Sequence, residues 1–140
     1  MIFDSACLLT NVNKYKVCMK VKIDTREKFH AITIQETALA ANMTADIDKY
    51  LLPLLQNDVK NVVLILKDIQ TIDIAAAEHL VATQQTFYEN NASFVICELN
   101  KAIEKKLDEE GLLELMNATP TETEGFDIVQ MEEIERELLD

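Results

Sequence analysis

The chain has 140 residues, of which 49% are hydrophobic and 27% charged, with two glycines and two prolines. That length suits one domain able to bury its own core, and the composition argues against a disordered, collagenous or membrane-embedded chain. A formal net charge of −12 repels phosphate backbones and anionic headgroups, so nucleic acid and membrane surfaces are poor partners.

In chain order, residues 1–18 read as an N-terminal extension, either a translated leader or an extra strand, and the domain proper as residues 19–140. Neither the short apolar run near Leu8 nor any later stretch approaches the roughly 20 apolar residues of a membrane span. Apolar and polar residues alternate over 17–24 (VCMKVKID) and again over 29–36 (FHAITIQE). These stretches predict two strands, joined by a short polar connection and paired antiparallel. From Thr44 a helical pattern begins, with Ile47, Leu51, Leu54 and Leu55 on one face. Asp46 and Asp48 fall in its first turn, where the helix dipole favours acids. Pro53 interrupts the pattern; an interior proline costs about 3 kcal/mol, so a bend or break is expected there.

Residues 61–67 (NVVLILK) run without alternation, the pattern of a strand buried on both faces at the centre of a sheet. Residues 75–89 predict a helix, with Ala77, Leu80, Val81, Gln84, Phe87 and Tyr88 at three- and four-residue spacing, and residues 92–97 another buried strand. A third helix follows over 101–110, turning Ile103 and Leu107 inward and ending on Gly111 as a left-handed cap. A short strand is expected near 113–116. Thr121 with Glu124 three residues on is a capping-box pattern for a last helix, whose apolar positions are Phe126, Val129, Ile134 and Leu138. Gly125 weakens that helix slightly. Strand–helix alternation of this order predicts an α/β fold: a mixed, mostly parallel sheet of four to five strands covered by about four helices.

Cys7, Cys18 and Cys97 have no paired spacing, and His30 and His79 do not complete a zinc set. Cys97, in an apolar run, reads as a small buried hydrophobe, which fits a reducing, cytoplasmic setting. With two glycines, at 111 and 125, the chain cannot build a phosphate-cradling loop, and no Ser-His-Asp or Cys-His pattern emerges. No catalytic residue, cofactor or metal is therefore predicted, and the paired acids Glu109-Glu110 and Glu132-Glu133 read as solvated.

One local pattern, together with the element order, resembles the STAS fold. The buried strand 62–66 leads through Lys67-Asp68-Ile69-Gln70-Thr71-Ile72 into Asp73-Ile74-Ala75-Ala76-Ala77 at the start of a helix. In that family the corresponding loop typically reads Asp-Ser-Ser-Gly-Leu. Residues 88–95 (YENNASFV) resemble the family's helix-to-strand turn, and the resemblance extends over roughly residues 19–139. It implies a bacterial, cytoplasmic, non-enzymatic module of the anti-sigma factor antagonist type that acts in transcription regulation and signalling. Such a module binds an anti-sigma factor of the serine-kinase type. In the family, phosphorylation of the loop serine adds a charge of about −1.5 to −2 and disrupts the interface.

Here the position matching that serine is Ala75, and neither Ile74 nor Ala76 has a hydroxyl, so the usual switch cannot operate at this loop. Thr71, the nearby hydroxyl, is expected at the strand end, pointing inward. The resemblance implies a partner surface formed by Asn42, Met43, Thr71, Asp73, Ile74, Ala75, Glu78 and His79. Each has a plainer alternative: Asp73 as the helix N-cap, Met43 as a buried staple, Glu78 and His79 as exposed polar residues. Two other functions stand beside antagonist: an accessory subunit of a transporter assembly, or a sensor holding a nucleotide or lipid at the sheet edge.

Overall fold

The computed structural model of the chain describes residues 20–116 and 118–139; the extension expected at 1–18 lies outside the described residues. Strand β1 (Val21–Thr25) turns Val21 and Ile23 inward and Lys22 and Asp24 to water, as its alternation predicts. It pairs antiparallel with β2 (His30–Ile34), Val21 opposite Ile34 and Thr25 opposite His30. All five residues of β2 are buried, because a third strand lies along its other edge and both of its faces are covered.

That third strand is β4 (Val62–Ile65), parallel to β2 and, on its far side, to β6 (Phe94–Cys97). The unalternating run of residues 61–67 thus occupies the centre of the sheet. The short β7 (Ala118–Thr119) completes the order β1-β2-β4-β6-β7, one antiparallel pairing and three parallel ones. Two further segments, β3 (Ala38–Leu39) and β5 (Thr71–Ile72), form a separate two-stranded parallel pair.

Helices α1 (Thr44–Leu51), α2 (Ile74–Glu89) and α3 (Lys101–Glu109) pack on one face of the sheet. Their Ile47, Leu80, Phe87, Ile103 and Leu107 share a core with Ile32, Leu64 and Ile96. Helix α4 (Glu122–Leu139) covers the other face, where Val129 and Phe126 meet Ala31, Val63, Val95 and Cys97. Successive strand residues therefore feed opposite cores, which is why these strands read as continuous apolar runs.

The local signals act as expected at three ends. A 3₁₀ turn (Ala41–Met43) leads into α1, and α1 gives way at Leu52 to a 3₁₀ segment (Leu52–Gln56) that takes Pro53 in its first turn. Gly111 has φ 73. Its N–H bonds to the Asp108 carbonyl and the Leu112 N–H to the Leu107 carbonyl, a complete Schellman ending for α3. Thr121 Oγ1 accepts the Glu124 N–H at 3.2 Å at the start of α4.

Two expectations are corrected and a third is extended. The strand foreseen at 113–116 is a turn: Leu115 and Met116 bond back to the Leu112 carbonyl, so their amides are unavailable to a ladder, and the strand forms at 118–119 instead. Gly125 is a contact point as well as a weak helix former. A Cβ there would sit 3.3 Å from Cγ1 of both Val63 and Val95, so its bareness lets α4 lie close on the sheet. Glu132 and Glu133 are half-buried and bonded rather than solvated: Glu132 accepts the Tyr88 hydroxyl at 3.0 Å, and Glu133 accepts the Asn61 amide at 2.7 Å.

Candidate functional site

At the ends of the parallel strands, the chain leaves β4, turns at 67–68, pairs briefly as β5 and enters α2 through Asp73. Asp73 has the extended backbone of an N-cap (φ −77, ψ 144), yet its carboxylate makes no hydrogen bond to its own helix. Oδ2 instead accepts the Ala41 N–H at 2.9 Å, and the Asp73 N–H donates to the Leu39 carbonyl at 2.9 Å. The side-chain cap foreseen for α2 is thus redirected to another segment. Its acceptor satisfies the open start of the 3₁₀ turn, where unpaired N–H groups also need partners.

This bond draws Asn42 toward the first turn of α2. Asn42, Asp73, Ala75 and Glu78 are all exposed, and Ile74 is half-buried. Ala76 and Ala77 are fully buried, which is why only small side chains fit beneath the turn. Thr71 is exposed, contrary to the inward orientation expected; in β5 it stands opposite Ala38. The two-residue strand leaves one face of that pair to solvent.

Besides Asp73, two of the eight residues are otherwise engaged. Met43 is buried, 8% exposed, and its sulfur accepts the Ala40 N–H at 3.5 Å, which realises the buried alternative. His79 is half-buried and turned sideways, its Nε2 2.7 Å from Asp48 Oδ1, so that it joins α2 to α1. No spacing in the sequence links Asp48 to His79, since they sit on separate helices. The underside of the loop is held by α3. Lys106 Nζ donates to the Ile72 carbonyl at 2.6 Å, and Asn100, the N-cap of α3, donates to the Ile69 carbonyl at 3.1 Å. The outcome is an exposed acidic surface, with Asp73 and Glu78 beside the bare methyl of Ala75.

Elsewhere, a groove of about 390 Å³ lies between the β1–β2 connection and α4, lined by Arg26, Lys28, Phe29, Glu122, Phe126 and Gln130 among others. Among the described residues, no group of three or more His, Cys, Asp or Glu is placed to hold a metal ion. No helix among them is long and apolar enough to cross a membrane. Cys97 is fully buried, and burial, with Glu98 and Glu122 nearby, pushes its thiol up to about 12.

The family model of the STAS domain matches residues 20–125. The chain belongs to the STAS domain family. No curated protein sequence is significantly similar to it. Among solved structures, the domain resembles an anti-sigma factor antagonist from Mycobacterium paratuberculosis, with a TM-score of 0.68 at 11% identity. That match covers 80% of this chain and 94% of the other. A glutamate variant of RsbS from Moorella thermoacetica gives 0.65 at 19% identity, covering 79% and 94%. The murine anion transporter Slc26a9 gives 0.63 at 8% identity, covering 91% of this chain but 24% of the transporter. These likenesses establish the STAS fold, which among the described residues comprises a mixed, mostly parallel five-stranded sheet and four α-helices.

Proposed function

We propose that this STAS domain is a non-enzymatic binding module of the anti-sigma factor antagonist kind, which engages a kinase- or ATPase-type regulator of transcription in the bacterial cytoplasm without a phosphorylation switch. The observation that carries the reading is the exposure of Ala75 on the first turn of α2, framed by Asp73, Asn42 and Glu78. A surface residue at the loop's apex with a methyl group in place of a hydroxyl keeps the surface permanently in its uncharged-apex state, which favours constitutive binding. The carboxylates of Asp73 and Glu78 suit a partner surface bearing Lys or Arg.

The test is recovery of partners from an extract of the source organism with the full chain and with Ala75→Glu. The unaltered protein is expected to recover an ATPase-type regulator, and Ala75→Glu to bind it at least about tenfold more weakly, a change of about 1.4 kcal/mol. The variant's circular dichroism should be unchanged, because the site is exposed. Equal binding by the variant would remove the loop from the interface, and recovery of a transporter subunit would point to the accessory-subunit role. Incubation with the recovered regulator and ATP should leave the protein's mass unchanged; a single added phosphate abolished by Thr71→Ala would place a switch on β5.

A further inference from the structure

Helix α4 is complete toward the sheet. Gly125, Phe126 and Val129 fill the second core, while Glu133 and Arg136 spend their polar groups on Asn61 and Ser93. The opposite side of the same helix nevertheless carries Met131, Ile134 and Leu138, 60%, 55% and 80% exposed. Their spacing of three and then four residues sets them in one stripe along the helix, the a-d-a spacing of a helix–helix seam. At 100° per residue the stripe is centred directly away from Val129, so packing on this protein's own sheet does not account for it.

The charge around the stripe identifies what would cover it. Seven of the 18 residues of α4 are Asp or Glu and one is Arg, and that Arg136 is turned inward. Glu124, Asp127 and Glu135 are exposed on the stripe's side of the helix and Glu137 flanks it. A second copy of this helix would bring carboxylates against carboxylates in either orientation, whereas a helix with Lys or Arg beside its apolar seam would meet opposite charge along the whole contact.

We propose that the outward face of α4 docks an amphipathic helix of a partner protein, seated on Met131, Ile134 and Leu138 and flanked by basic residues. This surface lies across the sheet from the Asp73 loop, so it is a second contact independent of the first.

The probe is a three-heptad peptide with Leu and Ile at the seam positions and Lys at the flanking ones. Two controls accompany it: the same peptide with Glu at the flanking positions, and a Lys peptide of identical composition with its apolar residues dispersed. Fluorescence anisotropy with the full chain should show binding of the first peptide alone, and Met131→Ser combined with Ile134→Ser should weaken it at least tenfold. Both sites are exposed, so the double variant is expected to keep its fold by circular dichroism, and Ala75→Glu should bind the peptide normally. No binding of the seam peptide, equal binding of the dispersed one, or indifference to the double variant would each overturn the proposal. So would a dimer in sedimentation that Met131→Ser with Ile134→Ser converts to monomer, since the stripe would then be taken by a second copy.

Discussion

Asn61 gathers three segments with a single amide. Its Nδ2 donates to the Lys28 carbonyl at 3.0 Å and to Glu133 Oε1 at 2.7 Å, while Oδ1 accepts the Ser93 N–H at 2.8 Å and Arg136 at 3.3 Å. The side chain is 4% exposed, so its neighbours have little water to fall back on. Asn61→Leu is expected to cost roughly 1–3 kcal/mol, because it leaves the buried Ser93 N–H without its acceptor. Urea titration checks this; a midpoint unchanged from the native protein would show that solvent replaces the amide. Nothing in the sequence marks Asn61, which reads only as the first residue of a buried run. Asp73 was legible as a cap by residue type and place, but which backbone it would cap depended on Ala41, 32 residues earlier. Contacts between distant segments leave no local pattern.

Elements were more legible than side chains. The run at 62–65, the antiparallel pair, the break at Pro53 and the glycine ending of α3 each follow from a local rule, and each is where that rule puts it. The pair β3 and β5 was missed because two-residue strands have no periodicity to detect. The last strand was placed three to five residues early because Leu113 and Met116 are apolar, although the turn consumes their hydrogen bonds. Gly125 belongs at this scale, since it sets how near α4 comes to β4 and β6. Gly125→Leu must push into Val63 and Val95, and overpacking of this kind costs about 1–3 kcal/mol. Thermal melting should show the loss; a variant as stable as the original would mean that α4 lifts from the sheet without penalty.

For the molecule as a whole, the fold was readable because strand–helix alternation admits few arrangements, and the sorting of strand side chains into two cores follows from the pleat. The loop at 73–77 that we propose as the partner surface was located by its pattern, but burial decided which of its residues reach solvent. Global stability should respond to Cys97 at high pH. In the folded protein the thiol keeps its proton up to about 12, whereas the unfolded chain releases it from about 9.0. Below the lower value the thiol makes no difference; above it the unfolded state gains by ionising, so the native protein loses stability progressively as pH rises toward 12. The stability difference between the native protein and Cys97→Ala, measured by urea unfolding, should therefore be constant below pH 9 and shift against the native protein above it. A difference independent of pH would mean that the folded thiol ionises normally.

The short parallel pair of β3 and β5 has a kinetic meaning. Together with the Asp73–Ala41 bond it fastens the two chain segments that carry the loop surface before any partner arrives. Little conformational entropy remains to be lost there on complex formation. If the loop is the contact surface proposed above, it docks preorganised, so association should be governed by diffusion and orientation, with salt tuning the encounter rate through its carboxylates, and the lifetime of the complex by the fit around one methyl group.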